Sequence, residues 1–227
     1  MRHHVALAIV LVGLSVAARA EDIVALCKEP VRQVQAGKSQ TLHDILSRLS
    51  QRDANYARDP REPSDVITQA HEGSHFLASQ LSTSKARGFY LLGGEGWRVP
   101  LTKNTRLSDV AAAVPKSKRG RVYKTYLLDA QGDWEAMPLV LLDEWIAYQH
   151  GAMVRAELGI EGRGETVTFA AELALYSYYF LKEVEKREQD YPIEELKGYY
   201  QFLLTRARII GGDEWKEDPV LGEVPSL

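Results

Sequence analysis

The stretch SDVITQAHEGSHFLASQL, from Ser64 to Leu81, places His71 and His75 four residues apart, with Glu72 directly after the first histidine. Four residues turn an α-helix through about 400°, so the two imidazoles project one turn apart in nearly the same direction. Two neutral ring nitrogens placed in this way can share one divalent ion, and imidazole suits Zn2+. Glu72 is rotated about 100° from His71. That puts its carboxylate beside an ion rather than on it, where it can take a proton from an activated water. The chemistry offered is metal-assisted hydrolysis, whereas the same three groups buried without an ion would each need other polar partners.

This trio requires a helix, and the surrounding residues supply one. Ser64 is a good N-cap and Asp65 suits the positive end of the helix dipole. Val66, Ile67, Ala70, Leu77, Ala78 and Leu81 then recur at helical spacing. Gly73 costs about 1 kcal/mol in a helix interior relative to Ala. Close approach of another backbone, such as a strand crossing the site, would account for it, and the small Ser74 fits the same crowding.

A catalytic zinc commonly has three protein ligands and one open position. A third histidine six residues beyond His75 would fall at Leu81, so the third ligand must come from elsewhere in the chain, which points to a glutamate on a second helix. Glu144, in MPLVLLDEWIAYQHGAMV, shares a face with Val140, Leu141, Ala147, Tyr148 and Gly151. A carboxylate among such neighbours needs a cation or a hydrogen-bond donor. Glu172, in TVTFAAELALYSYY, shares its face with Thr168, Phe169, Leu175, Tyr176 and Tyr179. It is a second candidate ligand, or else a buried glutamate bonded to a tyrosine or arginine, or a contact to a ligand histidine.

The remaining elements are mostly helical. Leu42, Ile45, Leu46 and Leu49 give TLHDILSRLS a helical stripe with Thr41 as its cap. The charged stretch QRDANYARDPREPSD that follows, with Pro60 and Pro63, is a loop. RGFYLLGGEGWRVPL holds two short β-favouring runs around Gly93 to Gly96 and predicts a hairpin. RVYKTYLLD is a further strand candidate. Pro138 opens a helix that Gly159 can stop near Leu158, another helix runs from Thr166 to about Glu188, and a third follows Pro192. The fold class expected is helix-rich α+β.

The chain has 227 residues and a formal charge of −3. Its first twenty, MRHHVALAIVLVGLSVAARA, combine a basic start, an apolar run from Val5 to Val16 and the small residues Ala18 and Ala20, which reads as a secretory signal peptide. The run is too short to span a bilayer comfortably, and no later segment is long and apolar enough, so the expectation is no stable membrane insertion after signal cleavage. Residues 21–210 then make one domain, and 211–227 a loosely held tail. Cys27 raises a lipid anchor, but Leu26 stands before it where a small residue is expected. As the only cysteine it forms no internal disulfide. The acidic balance argues against nucleic acid as partner, and the basic cluster KSKRGRVYK reads as a solvated loop.

HEGSH followed at a distance by DEWIAY on a helix resembles the gluzincin branch of the zincins, the zinc metallopeptidases. The resemblance implies a zincin-like domain in which an active-site helix, a small sheet or hairpin and a second helix surround the metal. It also implies His71 and His75 as zinc ligands, Glu72 as general base and Glu144 as third ligand, with Asp143 beside Glu144 as another choice. Such enzymes often use a tyrosine or histidine to donate to the oxyanion that forms during attack, and Tyr126, Tyr148, Tyr123 and His150 are available. The function this implies is a periplasmic or secreted peptidase acting on a peptide or protein. Two readings compete with it: a zincin-like module that binds zinc or a partner without hydrolysis, and a metal-free helical envelope protein whose histidines and glutamates form a buried polar network.

Overall fold

The helix α5, Val140–Glu157, is buried on almost every side. Leu141, Leu142, Trp145, Ile146, Ala147, Ala152, Met153 and Val154 cover its circumference, and a helix apolar all round must be enclosed by others. It starts at Val140, after a turn containing Pro138, and so slightly later than a Pro138 first turn implies. Gly159 ends it with φ +65, in the left-handed region open to glycine.

The structure, a computed structural model, describes residues 39–50, 63–160, 164–216 and 224. The signal-peptide and Cys27 readings lie outside these residues, as does most of the loop after Ser50. Among the described residues, α5 is surrounded by α1 (Gln40–Ser50), α2 (Pro63–Leu81), α6 (Gly164–Arg187) and α7 (Ile193–Lys216). The strands β1 (Ala86–Leu92) and β2 (Glu95–Pro100) form the antiparallel hairpin, with Phe89 opposite Trp97. The short helices α3 (Leu107–Ala113) and α4 (Gln131–Trp134) complete a helix-rich α+β fold. No helix among the described residues is long and apolar enough to cross a membrane.

Two cores hold these elements. The smaller joins Leu42, Ile45, Leu46 and Leu49 of α1 to Val66, Ala70, Leu77 and Leu81 of α2, with Tyr90 and Val154. The larger lies among α5, α6, α7 and the hairpin, where Phe89, Trp145, Tyr176, Tyr199 and Tyr200 are fully buried. Gly73 is explained by the smaller core rather than by a crossing strand. A Cβ there would stand 2.6 Å from Ile45 Cγ2 and 2.9 Å from Leu49 Cδ1, so it is α1 that lies against this part of α2.

Several local expectations are corrected by tertiary contacts. The cap of α1 is Ser39, whose Oγ accepts the Leu42 N–H at 3.1 Å. Thr41 instead donates its N–H and its hydroxyl to Glu157 at the end of α5. The strand candidate RVYKTYLLD is helical, with a π-helix over Tyr123–Asp129. Its buried residues are Val122, Tyr123, Tyr126 and Leu127, while Lys124 and Leu128 face solvent, a helical and not an alternating pattern. β propensity reflects fit to a pleated surface, and among the described residues the only sheet is the β1–β2 hairpin, which this segment does not join. The helix α7 continues through Gly211 and Gly212 to Lys216, and Val224 in the segment expected to be a loose tail is packed in the larger core.

The hairpin is pinned to the end of α2. The Gly88 N–H donates to Ser82 Oγ at 2.9 Å and the Thr83 N–H to the Ala86 carbonyl at 2.8 Å. A Cβ on Gly88 would lie 2.6 Å from the Leu81 carbonyl carbon and 2.8 Å from the Ser82 nitrogen. Backbone atoms cannot turn aside as a flexible side chain can. Gly88→Ala should therefore lower stability by about 1–3 kcal/mol, seen as an earlier urea midpoint with an unchanged slope.

Candidate metal centre

The helices α2 and α5 cross in opposite directions. Ile67 meets Gly151, where an added Cβ would be 3.2 Å from Ile67 Cγ2, His71 packs on Tyr148, and His75 reaches Asp143. The small Gly151 allows the close approach that aims the HEGSH turn at the Asp143-Glu144 turn. The Ser74 hydroxyl, within 2.6 Å of both the Ala70 carbonyl and His150 Nδ1, ties the two helices behind the site.

The result is a triangle of donor atoms. His71 Nε2 and His75 Nε2 lie 3.1 Å apart, and the Glu144 carboxylate bridges them, Oε2 standing 3.4 Å from His71 Nε2 and Oε1 3.4 Å from His75 Nε2. Donor atoms around a tetrahedral ion bound at zinc distances are separated by about 3.3 Å. Glu144 Oε2 is buried and lacks a hydrogen-bond donor, an arrangement a cation would satisfy. The side chains of His71 and His75 remain 14% and 22% exposed, so the triangle can be reached from solvent. His71, His75 and Glu144 thus form a group that could hold a metal ion.

The electrostatics of the metal-free triangle follow from these contacts. Burial alone would lower the pKa of His75, but its bonds to Asp143 and Glu144 outweigh that and raise it to about 10. Burial would raise Glu144, yet the His71 and His75 contacts bring it down to about 2. The proton that His75 retains offsets the buried carboxylates beside it, the task a bound cation would take over.

The other predicted residues fall into two groups. Tyr148 packs edge-on against the His71 ring at 4.5 Å, and its hydroxyl is 2.9 Å from that of Tyr126. The Tyr126 phenol is pushed up by burial, then by the charge of Glu144 and by Tyr148, which places it at the site. Glu72 is on the exposed side of α2. Tyr123 and His150 are directed elsewhere: the Tyr123 hydroxyl donates to the Ala111 carbonyl at 3.0 Å, and His150 is fully buried behind α2 on Ser74. Burial, with the Arg206 charge adding, holds His150 well below its usual range, as befits a neutral core imidazole.

Glu172 is accounted for without an ion. Its Oε2 accepts the Val122 N–H at 3.1 Å and the Tyr176 hydroxyl at 3.0 Å, so it anchors the basic segment and takes no part in the triangle. Tyr176 also accepts the Gly120 N–H at 3.0 Å, and Arg119 donates to the Val114 carbonyl at 3.0 Å and lies over the Tyr123 ring, so the middle of KSKRGRVYK is tied to its surroundings rather than being a wholly solvated loop. Glu172→Leu should leave metal binding unchanged and cost about 1–3 kcal/mol, because a buried N–H and a hydroxyl lose their acceptor. Metal analysis and urea unfolding of the same preparation check both halves.

No family model matches the chain, and no match to it was found among curated proteins or solved structures. The site must therefore be read from its own chemistry.

Two residues near the triangle have roles that spacing did not reveal. Asp143 is not in the triangle; its Oδ2 accepts from His75 Nδ1 at 3.1 Å. It also pairs with Arg87 of β1. Asp143 stood out in sequence only as a rival ligand to Glu144. Nothing in the hairpin sequence pointed to Arg87.

Proposed function

We propose that this chain is an exported zinc-dependent metallopeptidase that hydrolyses peptide bonds, with His71, His75 and Glu144 as the zinc ligands and Glu72 as the general base. The observation that carries this reading is the convergence of two Nε2 atoms 3.1 Å apart with one carboxylate that sets an oxygen 3.4 Å from each, separations like those between zinc ligands. Glu72 follows the first ligand in sequence and is exposed beside it. When bound, the ion would supply Lewis acidity, making a water acidic enough to lose a proton near neutral pH.

The chain's own groups perform the rest. Glu72 accepts a proton as the water oxygen adds to the peptide carbonyl carbon. It then returns that proton to the amine as the C–N bond breaks. The Tyr126 and Tyr148 hydroxyls, linked to one another, offer an O–H to the oxygen that becomes negative during addition. Burial first, and then the charge of Glu144, favour the neutral phenol for Tyr126, the form able to donate.

Elemental analysis of the full chain purified without added metal, combined with cleavage of a mixed peptide library, tests the proposal. The expected result is about one zinc per chain and chelator-sensitive cleavage. A protein free of metal, and unable to take up zinc, would leave the histidines and carboxylates as a buried polar network. Zinc without any cleavage would favour the non-catalytic module.

A further inference from the structure

The pair formed by Arg87 and Asp143 joins the hairpin to the candidate metal centre. Asp143 is buried, its side chain 2% exposed, beside Glu144 in sequence and against His75 in space. A second carboxylate at that depth is either paired or costly. Left to itself it would compete with Glu144 for a cation. Its Oδ2 instead takes up both the Arg87 guanidinium and His75 Nδ1. With Nδ1 donating to Asp143, the lone pair of a neutral His75 ring lies on Nε2, the atom facing His71 and Glu144.

Arg87 reaches Asp143 from a backbone held on both sides. Ala86 accepts from the Thr83 N–H, Gly88 donates to Ser82 Oγ, and the Leu101 N–H donates to the Lys85 carbonyl. The missing side chain of Gly88 lets this part of β1 lie directly on the end of α2. The guanidinium therefore starts from a strand whose backbone is fixed against the C-terminal end of α2, the helix that carries His71 and His75. A surface ion pair would not be built so, and the Arg87 side chain, 30% exposed, is within reach of solvent without depending on it.

We infer that Arg87 is a positioning residue for the metal centre: by holding Asp143 away from the ion and against His75 Nδ1, it fixes the ring orientation in which His75 offers Nε2 as a ligand. This inference rests on the reading of His71, His75 and Glu144 as metal ligands. Outer partners of ligand histidines typically contribute a factor of about 10–100 in metal affinity, and here that contribution passes through two side chains in series. Arg87 and Asp143 should behave as one unit. Lysine at position 87 keeps the charge but loses the planar fork.

The test measures zinc affinity by competition with a chromogenic chelator, and the absorption spectrum of the cobalt(II)-loaded protein, at a single pH on the full chain. Arg87→Met and Asp143→Asn should each lower zinc affinity about 10–100-fold and change the cobalt spectrum. The double variant should bind no more than a few-fold weaker than either single one, because both remove the same path. Arg87→Lys should recover part of the loss. Thermal unfolding of the metal-free variants separates this from a structural role. If Arg87→Met binds zinc and cobalt as the parent does, whatever its melting temperature, the inference is overturned, as it is if the two losses multiply in the double variant. A parent protein that binds neither metal overturns the underlying metal-centre reading instead.

Discussion

Replacing Glu72 by Gln should leave zinc content unchanged and reduce peptide hydrolysis about 10²–10⁴-fold, the range a positioned general base contributes. The carboxamide has nearly the shape of the carboxylate but cannot accept a proton from water at neutral pH. Glu72 is exposed on α2 and is not among the three groups that could hold the ion, so its loss should spare both folding and metal binding. That separates it from Glu144→Gln, which removes the negative charge from the triangle and should weaken zinc binding itself. Kinetics on any cleaved library peptide, with metal content measured on the same sample, distinguish the two. Undiminished turnover by Glu72→Gln would remove the general-base role and with it the peptidase mechanism.

The second large effect expected is a zinc-induced stabilisation that grows with pH. In the metal-free protein His75 is raised from 6.5 to about 10. Its proton therefore stabilises the fold fully below about pH 6.5, and that contribution is lost as the pH rises through about 10. Glu144 is lowered from 4.5 to about 2, so its contribution is present above about pH 4.5 and is lost as the pH falls through about 2. The triangle thus supports the metal-free fold best between these ranges, in mild acid. Zinc requires neutral imidazoles and must displace the His75 proton. Added zinc should raise the melting temperature little at pH 5 and progressively more towards pH 9, with about one proton released per ion bound. Thermal unfolding with and without zinc across that interval, together with calorimetry in buffers of different ionisation enthalpy, provides the measurement. A zinc effect independent of pH would show that the histidines are not the ligands.

The helices around the site were largely readable because their chemistry is periodic. A stripe such as Leu42, Ile45, Leu46 and Leu49 has only one way to be buried, and Gly159 marks the end of α5 through a left-handed backbone that other residues resist. The segment from Arg121 to Asp129 was not readable in this way. Its valine, threonine and tyrosines favour a strand, and what made it helical was the packing of one side and the Glu172 carboxylate waiting for the Val122 N–H. The start of α1 is set in a similar way, since Glu157, distant in the chain, accepts from both Ser39 and Thr41 and leaves the Ser39 oxygen to take the Leu42 N–H.

Helical spacing in the chain already dictated that His71 and His75 share a face and that Glu72 lies to one side, because one turn of backbone sets those directions whatever surrounds it. It could not choose among Glu144, Asp143 and Glu172, nor disclose Arg87. Those choices depend on which surfaces meet, and here the crossing of α2 and α5 at Gly151, the hairpin seated on α2 at Gly88, and the peptide N–H of Val122 assign each carboxylate a different partner. Distances across a packed interface arise from the joint fit of many side chains, so no local pattern encodes them.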